Sequence, residues 1–273
     1  MKRKLKVAFA AAAAVLAAHA QAAIVVSPTT DATALANAIL GAGITLVGTP
    51  TLTTNVPGPA GTFTDSGTAV GFASGIVLTT GSTDCVPGPN TQGSCSNGGT
   101  STSLKFDFTS TTGQVFFKYV FGSEEYSTYV NSSFNDEFQL LLNGVNIALL
   151  PGGAGVVSIN NVNCLTNSAY YRNNNDEAAG GVDCPTTSPN LGLDTQLDGL
   201  TTVLTATGLT IEGTNTFEFL IYDRGDSALD SAVFIQAGSF SGEDPNPAPE
   251  PATLALTGLA LAGLAASRRR RRG

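Results

Sequence analysis

The 273-residue sequence contains no tryptophan and a single histidine. That histidine, His19, lies in an N-terminal segment that we expect to be removed, so the exported chain has no imidazole to serve as a general base. Catalysis by a Ser-His or Cys-His arrangement is therefore excluded, and no Gly-x-Ser-x-Gly motif occurs. Without tryptophan, a carbohydrate-binding surface would have to stack sugars on tyrosine. The candidates are Tyr126, Tyr129, Tyr170 and Tyr171, although partial burial is the favoured role for each.

Basic residues are scarce outside the two ends of the chain. Nine of the 13 Lys and Arg form terminal clusters, and only Lys105, Lys118, Arg172 and Arg224 lie elsewhere, against all 21 Asp and Glu. The residues outside the clusters thus carry a formal charge of 4 − 21 = −17. Because phosphate binding requires Lys and Arg, we expect no nucleic-acid partner. Such a surface favours solubility and can bind divalent cations.

The N-terminus predicts a secretory signal peptide over residues 1–22. A basic cluster at residues 2–6 precedes an apolar run from Val7 to Ala18. Ala20-Gln21-Ala22 fits the small-x-small cleavage rule, and Ala18-His19-Ala20 is a second candidate. We therefore expect the protein to be exported.

The C-terminus has three parts in a fixed order. Pro249, Glu250 and Pro251 come first, and an apolar run from Ala252 to Ala266 follows. Five basic residues end the tail: Arg268, Arg269, Arg270, Arg271 and Arg272. The 15-residue apolar run is shorter than the roughly 20 residues of a spanning helix. By the positive-inside tendency the arginines stay in the cytoplasm, so the tail predicts a temporary membrane anchor.

These three parts together resemble the PEP-CTERM sorting signal of Gram-negative bacteria, here over residues 249–273. The resemblance implies processing by an exosortase, a membrane enzyme that cuts near the motif, after transient anchoring in the inner membrane. Producers of such proteins tend to make exopolysaccharide, which is therefore an expected partner. Residues 241–248 form a Pro-rich linker that separates the motif from the domain. An ordinary C-terminal membrane anchor is the alternative.

All four cysteines lie in the exported part of the chain. Four cysteines allow three pairings, and we favour the two local ones, Cys85 with Cys95 and Cys164 with Cys184. The Gly/Pro/Asn-rich stretch between Cys85 and Cys95 would need such a link to hold a shape. Metal binding by these cysteines is disfavoured, because no Cys-x-x-Cys motif and no exported histidine occurs.

The chain between the signals predicts one all-β domain over residues 30–240. Asp31 is a good N-cap for a short helix, Ala32–Leu40, which Gly41 can end. Thereafter Thr, Val, Phe and Ile dominate between Gly, Asn, Pro and Ser, which is typical of short strands. The predicted strands are near Ile44–Val47, Gly75–Thr80, Leu104–Thr109, Val115–Gly122, Glu137–Leu142, Val145–Leu149, Val156–Ile159, Thr201–Thr207, Thr216–Tyr222 and Ala232–Ser239. Some alternate and others are apolar on both sides, which indicates an antiparallel, jelly-roll-like β-sandwich.

Carboxylates crowd at two strand-loop junctions, residues 122–138 and residues 222–234. Ca²⁺ takes six to eight oxygens from carboxylates, amides and loop carbonyls. We therefore predict one structural Ca²⁺ as the only candidate cofactor. Its predicted ligands are Glu124, Glu125, Asp136, Asp223 and Asp230. The alternative is that such acids are solvated or cap turns, as Asp226 and Asp230 could.

Paired acids could also serve a glycosidase. Glu124 and Glu125 are adjacent, so on a strand they point to opposite faces and cannot both serve one site. A pair such as Glu125 with Asp223 is the alternative. We predict no catalytic residues and no enzymatic activity.

A series of stretches along most of the chain resembles the choice-of-anchor L domain. They are residues 35–41, 74–81, 119–126, 134–136, 147–152, 158–163, 198–201 and 223–234. Gly122 stands where the usual Ala-Ser-Glu-Glu-Tyr pattern has alanine. The resemblance implies an extracellular β module attached to a C-terminal sorting signal, and no catalytic residues. We therefore predict a structural or adhesive protein of the cell surface or biofilm matrix, with a carbohydrate-binding module or glycan-active enzyme as the alternative.

Overall fold

The computed structural model describes residues 24–66, 69–91, 95–96, 98–175 and 184–245. The predicted signal peptide and the predicted sorting signal, including its Pro-Glu-Pro motif and arginines, lie outside the described residues.

The described chain forms one α-helix, fourteen strands and three single-turn 3₁₀ helices, Thr83–Cys85, Pro151–Gly153 and Ser168–Tyr170. The helix α1 is Ala32–Ile39. The strands are β1 Ile24–Pro28, β2 Ile44–Thr54, β3 Ala60–Asp65, β4 Ser74–Thr79, β5 Ser101–Ser110, β6 Gln114–Ser123, β7 Glu137–Leu142, β8 Val145–Asn146, β9 Val157–Ser158, β10 Tyr171–Asn173, β11 Gly199–Thr201, β12 Leu204–Leu209, β13 Thr214–Tyr222 and β14 Ser231–Gln236.

The strands form two antiparallel sheets that pack as a sandwich. The eight-stranded sheet has the order β1-β3-β4-β14-β6-β11-β10, and β12 pairs with β6 beside β11. The six-stranded sheet has the order β2-β5-β13-β7-β8, and β9 pairs with β7. The predicted all-β sandwich with one short N-terminal helix is therefore confirmed.

The interior between the sheets is dominated by phenylalanine. Strand β5 alternates as predicted, with Leu104, Phe106 and Phe108 buried and Lys105 and Asp107 exposed. We call the following buried side chains the phenylalanine cluster: Phe106, Phe108, Phe117, Phe217, Phe219 and Phe240. Its ring centroids lie as close as 4.3 Å, within the range in which aromatic pairs add to the free energy of burial.

A second, smaller core covers the outer face of the eight-stranded sheet. Val77, Val120 and Phe234 from its central strands pack there against Val86 and Leu197 from the connecting loops. This layer explains why β4, β6 and β14 are apolar on both sides, since neither face of the central strands meets water.

The helix and the C-terminal end of the domain hold each other in place. Asp31 Oδ1 accepts hydrogen bonds from the backbone amides of Thr33 and Ala34 at 2.9 and 3.0 Å, so Asp31 is the N-cap as predicted. The helix ends at Ile39, one residue before the predicted end, because Leu40 takes an extended backbone and bridges to Phe240.

Candidate functional site

The two predicted acidic segments meet at one end of the sandwich. Strand β6 ends and β14 begins there, with Ser123 opposite Ser231. Strand β13 ends and β7 begins at the same level in the other sheet, with Tyr222 opposite Glu137. The loops 124–136 and 223–230 therefore lie together, and each connects a strand of one sheet to a strand of the other. We call this the acidic end.

Glu125 is one of the buried carboxylates of a first group. Its side chain is 1% exposed, and its Oε2 atom has no hydrogen-bond partner. Burial, and then the nearby Asp136, Asp223 and Asp226, raise the pKa of Glu125 to about 9, against the lowering effect of a hydrogen bond from the Asp136 amide. When no cation is bound, Glu125 should therefore keep its proton at neutral pH.

Asp136 and Asp223 complete the inner part of this Glu125 group. Asp136 is fully buried and accepts hydrogen bonds from the Arg224 amide at 2.9 Å and the Ser231 hydroxyl at 2.7 Å. Its pKa is raised to about 7, chiefly by burial. Asp223 is half-buried, and its Oδ1 atom has no partner. Burial, and then Asp226, raise the pKa of Asp223 to about 6.

Glu124 belongs to a second, adjacent group. It is 3% exposed, and its pKa is raised to about 9 by burial and then by Asp198 and Asp230, while the Cys95 amide opposes the shift. Asp230 accepts a hydrogen bond from the Ser82 amide at 3.1 Å. The acid missed by sequence reasoning is Asp198, although it lies in one of the stretches that carry the family resemblance.

The structure thus places the five predicted calcium ligands in two adjacent groups, and Asp230 acts electrostatically on both Glu124 and Asp223. Glu125, Asp136 and Asp223 lie in the first, and Glu124 and Asp230 lie in the second. Within the described ranges, no cluster of three or more His, Cys, Asp or Glu side chains is arranged to hold a metal ion.

The one basic residue in the 223–230 loop does not neutralise the Glu125 group. The Arg224 side chain lies over the Tyr222 ring at 4.5 Å and donates to the Tyr222 hydroxyl at 2.6 Å. Its Nε atom lies 3.5 Å from Glu137. Only the Arg224 backbone amide reaches the group, through Asp136.

The predicted disulfides are both present, Cys85–Cys95 and Cys164–Cys184. The first supports the acidic end directly, since Cys95 interacts with Glu124 through its amide and its carbonyl accepts from the Asp230 amide at 3.0 Å. The Cys85–Cys95 disulfide therefore helps to position Glu124 and Asp230, although both lie far from it in the sequence.

The four tyrosines offer little area for sugar stacking. Tyr126 and Tyr171 are buried, with ring centroids 4.9 Å apart. Tyr129 and Tyr170 are half-buried, and the Tyr129 ring meets Phe134 edge-on at 5.2 Å. This agrees with the favoured structural role of these side chains.

The fold and the tail define an exported β-sandwich followed by a sorting signal, and comparison with known families agrees. Residues 25–241 match the Choice-of-anchor L domain, and residues 247–271 match the PEP-CTERM protein-sorting motif. The chain belongs to the choice-of-anchor L domain family, and both predicted resemblances are confirmed. No curated protein and no solved structure gives a significant match.

The sorting motif implies an exosortase-processed protein exported to the surface or exterior of a Gram-negative cell. Together with the family, it indicates a surface protein. Across the part of the chain that the structure describes, none of the helical structure is long and apolar enough to cross a membrane.

Proposed function

We propose that the protein is a structural or adhesive component of the cell surface or exopolysaccharide matrix, which an exosortase releases from a transient inner-membrane anchor. The observation that carries this proposal is that the domain is complete before the sorting motif begins. Phe240 is buried in the phenylalanine cluster, and the Gly242 amide donates to the Ala42 carbonyl at 2.8 Å.

Cleavage near Pro249 would therefore remove no part of the core. The seven residues after Gly242 can span at most about 25 Å, so the anchored domain would sit close to the membrane until it is cut. The 15 apolar residues after the motif suit a temporary anchor, because they fall short of the roughly 20 needed for a stable span.

Two structural features support a non-enzymatic role. The acids of the two groups are held by burial and backbone amides at strand ends, as structural carboxylates are. Among the described residues, two open cavities of about 260 and 540 Å³ lie away from these acids, and neither of the two is lined by an acidic side chain.

Processing in the producing bacterium tests the sorting part of the proposal. Glu250→Gln, and replacement of Arg268–Arg272 by glutamine, should leave uncut precursor in the membrane fraction, whereas the wild type should yield a shortened chain outside the cell. Mass spectrometry of the C-terminus measures the cut. Glu243→Gln, which lies outside the motif, is the matched control. Normal processing of both motif variants would refute the sorting role.

The matrix role is tested separately. Deleting the gene should lower the cohesion of the exopolysaccharide matrix, and the processed chain should co-sediment with purified exopolysaccharide. An unchanged matrix together with no co-sedimentation would remove the structural and adhesive role while leaving the sorting result intact.

A glycan-active site is the alternative, and one observation favours it. Glu125 and Asp223 lie in the same group, and the raised pKa of Glu125 is a property of a general acid. A glycan array run beside hydrolysis assays separates the two functions. Hydrolysis that disappears in Glu125→Gln would establish the enzyme, whereas binding without hydrolysis would establish a carbohydrate-binding module.

A further inference from the structure

The Glu125 carboxylate is enclosed without enough donors. It is 1% exposed, yet its Oε2 atom has no hydrogen-bond partner. Buried carboxylates are normally paired, hydrogen-bonded or bound to a metal. An unsatisfied oxygen in so enclosed a place therefore requires a further partner.

No described residue donates a hydrogen bond to that oxygen. Both oxygens of the neighbouring Asp136 are occupied by the Arg224 amide and the Ser231 hydroxyl. The Arg224 guanidinium pairs with Glu137 instead. Asp223 contributes another carboxylate oxygen, Oδ1, that is buried and unpartnered. Among the described residues, the group therefore presents two buried carboxyl oxygens without a hydrogen-bond partner and no basic side chain to pair with them.

The group lies between the protein interior and the solvent. Exposure rises from the buried Glu125 through the half-buried Asp223 to the exposed Asp226. A hydrated cation would therefore approach the group from the Asp226 side.

We propose that the Glu125 group binds one divalent cation of the calcium type, with Glu125 Oε2 and Asp223 Oδ1 as its carboxylate ligands. Two carboxylates balance the charge of the ion, and water and loop carbonyl oxygens complete a shell of six to eight. Such a mixed shell agrees with the lack of a third converging acid among the described residues. Glu124, in the second group, and Asp230, which accepts a hydrogen bond from the Ser82 amide, are not among the proposed ligands.

The ion would join the two sheets. Glu125 lies in the loop from β6 to β7, and Asp223 lies in the loop from β13 to β14, so each ligand sits where the chain crosses between sheets. A calcium site with few carboxylate ligands is typical of weakly binding extracellular modules, whose dissociation constants are about 10⁻⁴–10⁻³ M. The protein would then gain its full stability only after export, where calcium is plentiful.

Thermal melting of the full chain in mild detergent tests this proposal, because the order of the melting temperatures of wild type and variants should differ between EDTA and Ca²⁺. In EDTA, Glu125→Gln should melt at or above the wild type, because the amide is neutral at every pH, whereas the buried carboxyl must bind a proton on folding when no cation is present. In excess Ca²⁺ the wild type should gain stability and melt above Glu125→Gln and Asp223→Asn. Calcium titration should show affinity reduced about 10-fold or more in both variants, since the loss of outer-shell partners alone costs about that much.

Two variants are matched controls. Glu124→Gln removes the adjacent residue in the second group, and Glu212→Gln removes an exposed acid. Both should keep the wild-type response to Ca²⁺. Identical melting of the wild type in EDTA and in Ca²⁺ would overturn the proposal, as would a response that survives in Glu125→Gln. An equal response to Mg²⁺ in every variant would show general charge screening and would overturn it too.

Discussion

Replacement of Phe240 by alanine should destabilise the whole domain, although Phe240 is almost its last residue. The ring is fully buried and lies 4.3 Å from Phe117, 4.7 Å from Phe108 and 5.2 Å from Phe217. Phe→Ala in a packed core costs about 3–5 kcal/mol. Domains are stable by only about 5–15 kcal/mol, so Phe240→Ala should lose a large share of the free energy of unfolding.

The loss can be measured by urea unfolding followed by tyrosine fluorescence, since the chain has six tyrosines and no tryptophan. The midpoint should fall with the slope unchanged, and Tm should drop by about 2–4 °C per kcal/mol. Phe72→Ala is the matched control, because Phe72 is half-buried and contacts the smaller core. A loss below about 1 kcal/mol, or an equal loss in Phe72→Ala, would refute the view that the C-terminal segment completes the core.

Two further predictions concern the cysteines and pH. Replacing either cysteine pair by serine should lower the free energy of unfolding by about 3 kcal/mol through loop entropy, because the paired cysteines are 10 and 20 residues apart. Only the loss of Cys85–Cys95 should also alter the titration of Glu124. An unchanged urea midpoint would refute the stabilising role of the disulfides. In EDTA, stability should fall as pH rises from about 4.5 towards 9, since Glu124 and Glu125 keep protons in the folded state that the unfolded chain releases. The slope should reach about 1.4 kcal/mol per pH unit for each group. Urea midpoints at about pH 5 and pH 8 measure it. A midpoint that rises with pH would contradict the buried-acid interpretation.

The sequence predicts best the elements whose pattern is local. The alternation in β5 places Leu104, Phe106 and Phe108 inward without knowledge of any other strand. The apolar run of β6 likewise predicts cover on both faces, because no polar side is left to meet water. The N-cap at Asp31 depends only on the next few residues.

Elements that depend on distant partners were missed. Strand β3 begins Ala60-Gly61, which are poor strand formers, yet it pairs with β1 on one side and β4 on the other. Gly61 is needed there, since a Cβ atom at this position would lie 2.7 Å from the Ser27 carbonyl oxygen. Such a strand is stabilised by its neighbours rather than by its own composition.

Other strands end at positions that differ from the prediction. There, side-chain oxygens accept hydrogen bonds from backbone amides that would otherwise pair with a neighbouring strand. Strand β8 stops at Asn146, whose Oδ1 atom accepts from the Leu140 and Ala148 amides at 3.1 and 3.0 Å. The single predicted strand Thr201–Thr207 is two strands, β11 and β12. At the break, the Thr201 hydroxyl accepts from the Phe121 amide at 3.0 Å.

The acidic end was predicted in location but not in arrangement. The two segments rich in carboxylates do meet, because the strands that carry them end at the same level. The division into two groups depends on the register that sets Ser123 opposite Ser231. It also depends on Asp198, which lies far from Glu124 in the chain. Neither the register nor this contact can be obtained from the spacing of the acids.

The two ends of the sandwich are stabilised by different interactions, and this has a consequence for the anchored precursor. The linker leaves beside the turn between β5 and β6, where Gly242 approaches Thr112. The acidic end lies at the other end of β6, a ten-residue strand and so about 30 Å away. The acidic end therefore lies far from the point at which the linker leaves the domain. A chelator or a change of pH should therefore loosen the loops of the acidic end, 124–136 and 223–230, before the rest of the domain. The phenylalanine cluster near the linker would keep the domain folded while the exosortase cuts the tail.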